Sequence, residues 1–155
     1  MPAYSFKEVF VPFVKEGSKT QTIRSFRNSI PREGQTAFLY YGMRTRWCKK
    51  LGEGTIYNVF CIFINKKQEV VIIGTNFVSN EQIKLLKKGN YKKLDVLYKV
   101  LTDEEKDDLA YRDGFRKEHS DERKGCFEIM ITWWKQTHEL PFIGHLICWN
   151  LTDKK

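Results

Sequence analysis

The longest strand pattern in the chain, residues 52–64, limits the possible folds more than any other feature. It is apolar and rich in β-branched side chains, and a polar turn at 65–67 separates it from a second such segment, 69–78, as in a β-hairpin. Shorter strands are predicted at 3–6, 20–26, 36–41 and 142–151, and helices at 8–15, 81–88, 102–112 and 121–137. Because helices and strands do not alternate regularly, we expect an α+β fold with a mainly antiparallel sheet, which can close into a small barrel.

The composition supports one folded domain over residues 1–155, without a membrane or secretory segment. Hydrophobic residues make up 41% of the chain, but no apolar run approaches the ~18 residues of a membrane span. The first residues lack the basic and apolar regions of a signal peptide. The cysteines and histidines form no recognised metal-ligand spacing. We therefore expect a cytoplasmic protein with no metal, no cofactor and no membrane partner, in an oligomeric state that the sequence leaves open.

Residues 17–24, which read Gly-Ser-Lys-Thr-Gln-Thr-Ile-Arg, combine a glycine turn with a short strand. On an ideal strand Thr22 and Arg24 share one face, while Ile23 points to the other and is expected in the core. Polar groups on the first face can line a cleft. Lys19 has the wrong parity for that face, so it reaches Thr22 only if the glycine turn is not yet extended. The alternative is a half-exposed strand whose Lys19 and Arg24 are solvated.

The segment before the long strand concentrates positive charge around an aromatic ring. This basic loop contains Arg44, Arg46, Trp47, Lys49 and Lys50. The net charge of the chain is +8, but only clustered charge indicates an anionic partner. Cationic side chains contact phosphates and an exposed ring stacks on bases, so the basic loop is a candidate RNA-binding segment. The alternative is a solvated hairpin loop anchored by Trp47.

Three segments of the chain, taken in order, resemble the ASCH domain family. Residues 17–24 follow the pattern G-x-K-x-x-T-x-R, which is close to the common family form G-x-K-x-x-E-x-R. Residues 42–52 are similar to the family's R-T-x-x-C-x-K-L-G loop, and residues 110–115 are similar to its A-x-x-D-G-F segment. The resemblance covers nearly the whole chain. It implies a PUA-like small antiparallel β-barrel with flanking helices, which binds RNA or nucleotides in a cleft.

One bacterial branch of this family hydrolyses the amide of N4-acetylcytidine, and its motif K-T-x-T-I-R is similar to the one found here. The resemblance implies that Lys19 and Thr22 are catalytic and that Thr20 and Arg24 contact the ligand. It places the catalytic acid at Asp113, where the hydrolase branch has Glu. In this chemistry a neutral Lys19 takes the proton of the Thr22 hydroxyl, which attacks the acetyl carbonyl. Arg24 or backbone N–H groups stabilise the oxyanion, while Asp113 orients Lys19 or passes a proton to the leaving amine.

Three functions stay open on the sequence. The first is an RNA- or nucleoside-binding ASCH protein that acts as an N4-acetylcytidine amidohydrolase. The second is a non-catalytic RNA-binding module, and the third is a metal-independent ribonuclease, an activity implied for some members of the family. In each case the partner is RNA or a cytidine-type nucleoside. A Lys19 within hydrogen-bond reach of Thr22, with Asp113 near, favours the hydrolase, whereas a solvated Lys19 far from Thr22 favours the binding module.

Overall fold

A computed structural model of the chain describes residues 2–117 and 122–152 and has a mixed α+β fold. The strands are β1 (Ala3–Phe6), β2 (Gln21–Ser25), β3 (Thr36–Tyr41), β4 (Lys49–Ile64), β5 (Val70–Ile73), β6 (Tyr98–Val100) and β7 (Phe142–Leu151). The helices are α1 (Val11–Glu16), α2 (Asn80–Lys87), α3 (Asp103–Arg112) and α4 (Cys126–Thr137). Short 3-10 turns lie at Glu8–Phe10 and Tyr91–Lys93. No helix among the described residues is both long and apolar enough to cross a membrane.

The strands form one sheet that is organised around β4. The order is β1-β3-β4-β5-β6, and β7 pairs with both β4 and β2. Of the pairings in the described residues, that of β1 with β3 is parallel and the others are antiparallel. Register shifts interrupt the β3–β4 and β4–β7 pairings, and bulges of this kind bend a sheet. The sheet curls into a half-barrel, so the predicted α+β class and mainly antiparallel sheet are confirmed.

The strand limits depart from the prediction where tertiary pairing overrides local pattern. β1, β3 and β7 have the predicted limits. β4 begins ahead of the predicted residue 52, because Lys49 and Lys50 pair with β3. β5 ends at Ile73, and bends at residues 74–76 followed by irregular backbone at 77–78 replace the rest of the predicted strand. β6 is absent from the predicted strands because its side chains are all exposed, and only pairing with β5 makes it a strand.

The helix ends follow capping signals in the sequence. The Thr102 hydroxyl accepts the N–H of Glu105, and the Glu105 carboxylate accepts the N–H of Thr102 at the start of α3. Pro12 lies in the first turn of α1, where its missing N–H costs no helical bond. Gly17 ends α1 in a left-handed conformation, with φ of +84°. α4 begins later than the predicted residue 121, which lies outside the described residues.

The buried hydrophobic residues form two clusters, and strands of the sheet contribute to both. The larger cluster joins the inner faces of the strands to α3 and α4. The smaller cluster lies between β4, β5 and α2. Ile23, which is expected in the core, is buried, and so are Leu39, Val59, Cys61 and Phe63. The intervening Ile62 and Ile64 are buried as well, so this end of β4 is covered on both faces. On β2, Ile23 lines the same cavity at the edge of the larger cluster as Thr22 and Arg24.

Candidate functional site

A cavity of about 500 Å³ opens between β1, β2, the end of α3 and α4. Its volume is in the range of roughly 300–1,000 Å³ that is typical of small-molecule sites. The predicted catalytic residues Lys19, Thr22 and Asp113 all line it, together with Arg24. The aromatic residues of its wall are Phe6, Phe10, Phe26, Phe115, Trp133, Trp134 and His138. The cavity therefore combines a polar corner, formed by Lys19, Thr22, Arg24 and Asp113, with a mostly aromatic wall.

Lys19 lies in the short connection between α1 and β2. Gly17 turns the chain, and β2 begins only at Gln21. Lys19 is thus not yet part of the strand, which is the condition for its side chain to share a cavity with Thr22. Both side chains line the cavity, and only 2% of the Lys19 surface is exposed. The alternative of a solvated lysine is wrong.

The Lys19 ammonium group is held by oxygen atoms of two residues. Its Nζ donates to the carbonyl oxygen of Gln21 at 2.9 Å and to that of Asp113 at 2.6 Å. The Asp113 carboxylate Oδ1 lies 3.4 Å from the same Nζ. This Oδ1 is buried and makes no hydrogen bond within the described residues. The ring centroids of Phe6 and Phe10 lie 5.5 and 5.0 Å from Nζ, so the nitrogen is fixed in a dry, partly aromatic setting.

Burial shifts the protonation equilibria of this pair toward the neutral forms. It lowers the pKa of Lys19, and the Asp113 carboxylate offsets only part of that effect. Burial also raises the pKa of Asp113, with the Lys19 ammonium opposing. A neutral amine has two N–H donors and one lone pair, and here two carbonyl oxygens are in place for the donors. The lone pair of a neutral Lys19 is then free to act as a general base.

Asp113 is positioned by the end of α3 and by the glycine that follows it. It directly follows Arg112, the last residue of the helix. Gly114 has φ of +95°, and a Cβ there would lie 2.9 Å from the Phe10 ring and 3.3 Å from the Lys19 side chain. Glycine is the residue that tolerates both conditions. The segment therefore brings the carboxylate to the lysine even though Asp is one methylene shorter than Glu.

The Thr22 hydroxyl is bonded to Arg24 and not to Lys19. Thr22 Oγ1 accepts a hydrogen bond from Arg24 Nε at 3.0 Å, and Arg24 Nη2 donates to the Ser5 carbonyl oxygen at 2.7 Å. The Arg24 guanidinium also lies over the Phe6 ring, 5.3 Å from its centroid. In the part of the chain that the structure describes, no hydrogen bond joins Thr22 to Lys19. The Thr22 O–H donor therefore stays available to a base or to a ligand in the cavity.

The aromatic wall from α4 suits a flat ligand. Trp134 is buried, and the His138 ring stacks on it with centroids 4.4 Å apart and planes 16° apart. Burial lowers the pKa of His138, which favours the neutral imidazole. Trp133 is half-buried and its ring meets Phe115 at 5.3 Å. Rings of this kind stack on nucleobases in nucleic-acid sites.

The basic loop lies outside this cavity and is exposed. None of its residues lines the cavity, namely Arg44, Arg46, Trp47, Lys49 and Lys50. Trp47 is 66% exposed, so it does not anchor the loop in the core, and the Arg46 guanidinium lies 4.8 Å from its ring centroid. The N–H of Met43 donates to Ser5 Oγ at 3.2 Å, and Ser5 lines the cavity. The loop therefore borders the site without forming it.

The remaining differences concern residues without a recognisable pattern. Thr20 is half-buried and does not line the cavity, and its carbonyl oxygen accepts the Trp149 N–H. Conversely, Lys7, Arg27 and the aromatic rings line the cavity without having been singled out in the sequence. They come from separate elements of the chain, so no spacing connects them. The aromatic content of 14% was their only signal, and it carries no position.

Comparisons of the chain with models of protein families, with curated proteins and with solved structures found no match. Among the described residues, no group of three or more His, Cys, Asp or Glu side chains could hold a metal ion.

Proposed function

We propose that this chain is an ASCH-type protein with a PUA-like barrel, which binds a cytidine nucleoside in the cavity and removes its N4-acetyl group in the cytoplasm. One observation carries the proposal. Lys19 is almost fully buried on the cavity wall, bonded to two carbonyl oxygens and facing the Asp113 carboxylate, with Thr22 in the same cavity. A lysine in this state is suited to removing a proton, which a solvated lysine at neutral pH is not.

The aromatic wall supports a nucleoside as the ligand. A cytosine ring has two flat faces, and the rings of Phe115 and Trp133 offer surfaces on which it can stack. The acetyl group would then point to the polar corner, where Thr22 and Arg24 lie. Stacking fixes the plane of the base, and the polar corner fixes which edge of it reacts.

In the first half of the reaction, the lone pair of Lys19 Nζ takes the proton of the Thr22 hydroxyl. Thr22 Oγ1 forms a bond to the acetyl carbonyl carbon, and the π electrons of the carbonyl move to its oxygen. Arg24 is suited to stabilise this oxyanion, because its Nη1 makes no hydrogen bond within the described residues. Thr22 Oγ1 can keep accepting from Arg24 Nε while its O–H donates to Lys19, because a hydroxyl has one donor and two acceptor positions.

In the second half, the bond between the carbonyl carbon and N4 breaks, and N4 takes a proton from the Lys19 ammonium. Cytidine leaves, and the acetyl group remains on Thr22 as an ester. A water molecule, deprotonated by Lys19, hydrolyses this ester to acetate and restores Thr22. Asp113 keeps Lys19 in place throughout, since its carbonyl oxygen and its carboxylate both face Nζ.

One observation favours the second candidate, a non-catalytic binding module. The Thr22 hydroxyl is bonded to Arg24, and in the described residues it has no direct bond to Lys19. In that case Lys19 keeps its proton, and the polar corner only recognises the ligand through hydrogen bonds.

The two candidates are separated by incubating the protein with N4-acetylcytidine and, in parallel, with short unmodified RNA. The hydrolase yields cytidine and acetate from the first and leaves the RNA intact. Thr22→Val keeps the shape of the side chain but removes its hydroxyl, so turnover should vanish while ligand affinity falls by no more than ~1.5 kcal/mol. Thr22→Ser should keep part of the activity. Binding without product supports the module, and cleaved RNA supports a ribonuclease.

A further inference from the structure

A second, smaller cavity adjoins the first. Its volume is about 280 Å³, near the lower end of roughly 300–1,000 Å³ for small-molecule sites. Phe26 and Arg27 line both cavities, so these two residues form the boundary between them. A space of this size next to a nucleoside-sized cavity fits one further planar group.

The lining of the second cavity combines exposed rings with solvent-accessible amides. Phe77 is 61% exposed and Phe26 is 40% exposed, so each ring has surface on which a flat group can stack. Asn28, Asn76 and Asn80 also line it. Asn28 and Asn80 are exposed and Asn76 is half-buried, so their amides are accessible to a ligand. Aromatic faces together with free amide donors and acceptors are the groups that proteins use to recognise a nucleobase in single-stranded RNA.

A buried histidine holds this cavity in shape. His145 is 2% exposed, and its Nε2–H donates to the Asn76 carbonyl oxygen at 2.8 Å. Its ring also meets the edge of Phe26, with centroids 4.7 Å apart. The backbone at Asn76 and the ring of Phe26 are therefore fixed relative to each other before any ligand arrives.

Arg27 offers a positive charge on the boundary between the two cavities. Its guanidinium lies over the Tyr4 ring, 4.6 Å from the centroid, and its Nη2 donates to the Ala3 carbonyl oxygen at 3.0 Å. Lys7 and Arg24 line the first cavity as well, and Asp113 is its one acidic lining residue in the described part of the chain. This excess of positive charge along the first cavity favours a ligand with a negatively charged group, and a free nucleoside has none.

We propose that the substrate is a cytidine residue within an RNA strand rather than a free nucleoside. The acetylated base occupies the first cavity, Arg27 contacts the phosphate that joins this residue to its neighbour, and the neighbouring base stacks on Phe26 and Phe77 in the second cavity. This inference rests on the function proposed for the first cavity, and it adds the class of substrate.

The test compares kcat/KM for N4-acetylcytidine with that for dinucleotides in which an adenosine precedes or follows it. At least one dinucleotide should be hydrolysed roughly ten-fold more efficiently, the effect expected from one stacked base. Phe77→Ala and Arg27→Gln should each remove most of the advantage of the dinucleotide. Phe77→Ala should also leave hydrolysis of the free nucleoside unchanged. Leu97→Ala is the control, because Leu97 is 86% exposed and lines neither cavity.

Equal efficiency for the nucleoside and both dinucleotides would overturn the inference and leave the proposed hydrolase intact. An advantage that survives Phe77→Ala would also overturn it. Binding of the unacetylated dinucleotides and of cytidine is measured in parallel, so that the second cavity is tested even if no compound is hydrolysed. If no compound is hydrolysed, the proposed function fails. Tighter binding of a dinucleotide than of cytidine, lost in Phe77→Ala, would still support the second cavity as a base site. Equal binding of the dinucleotides and cytidine would contradict it.

Discussion

The polar corner of the cavity and the basic loop differ in the solvent exposure of their charged side chains. In the corner, Lys19 is 2% exposed and Asp113 is 4% exposed, and burial lowers the pKa of the lysine. In the loop, the cations and Trp47 are exposed to solvent. The sequence marks the loop more strongly, because it holds more charges in fewer residues. The lysine whose pKa is lowered by burial, however, lies in the corner.

This difference shows that burial, rather than the number of charges, decides what a lysine can do. Exposed cations are screened by water and salt, and they attract phosphates without changing protonation state. A buried lysine is destabilised as an ammonium and becomes a usable base. The exposed cations of the loop are open to an anionic partner, whereas the buried lysine is the group whose pKa burial lowers.

The largest expected effect comes from changing Lys19 to Arg. A guanidinium keeps the positive charge but does not lose its proton in the working pH range, so it cannot act as a base. Hydrolysis of N4-acetylcytidine should fall by roughly 10²–10⁴-fold, the usual contribution of a general base. The measurement is kcat/KM, with Lys49→Arg in the exposed loop as the matched control.

Binding of cytidine shows whether the Lys19→Arg protein keeps its site, and Thr22→Val provides a second inactive variant that preserves the packing. If Lys19→Arg binds cytidine and hydrolyses the substrate at the wild-type rate, the buried lysine is not the base. The difference in burial between the corner and the loop would then have no consequence for catalysis.

The same contrast extends to stability through one buried ring and one exposed ring. Phe63 is 1% exposed in the smaller core cluster, whereas Trp47 is 66% exposed. Phe63→Ala should lower the free energy of unfolding by ~3–5 kcal/mol, because it leaves a cavity. Trp47→Ala should change it by about 0.5 kcal/mol or less. Urea titrations of both variants provide the comparison, and equal losses would mean that the loop ring is packed in solution.

The smallest expected effect concerns the loop charges. Arg46→Gln with Lys49→Gln should weaken RNA binding and reduce the slope of log affinity against log salt by about one unit for each lost phosphate contact. Lys66→Gln with Lys67→Gln is the control, since it removes the same charge from an exposed turn on another strand connection. If affinity and slope are unchanged by the loop pair, or change equally in both pairs, the loop is not part of the binding surface.

The sequence allowed most of the fold to be predicted, because local signals agree with tertiary structure there. The capping box at Thr102, Pro12 within the first turn of α1 and the apolar run around Phe63 are such local signals. β6 could not be predicted, since its exposed side chains carry no pattern and it exists only through pairing with β5.

From the residues alone, the site was predictable only where it follows one segment of the chain, and Asp113 was predicted only through the resemblance to the ASCH family. Lys19, Thr22 and Arg24 are close in sequence, and the glycine turn before them could be recognised. The approach of Asp113 to Lys19 depends on how α3 packs beside β2, and the aromatic wall depends on α4. No local pattern encodes such distances, so neither the burial of the lysine nor the second cavity could be derived from the sequence.

The central claim, that Lys19 acts as a buried base, is tested most directly by the pH dependence of N4-acetylcytidine hydrolysis. The neutral form is the active one, so kcat/KM should rise with pH and level off above the pKa of Lys19. Because burial lowers this pKa, the midpoint should lie below 10.5, the ordinary value for lysine. Release of cytidine and acetate that increases across about pH 6 to 9 is the predicted result. No turnover at any pH in that range, or a rate that falls as the pH rises, would contradict the account.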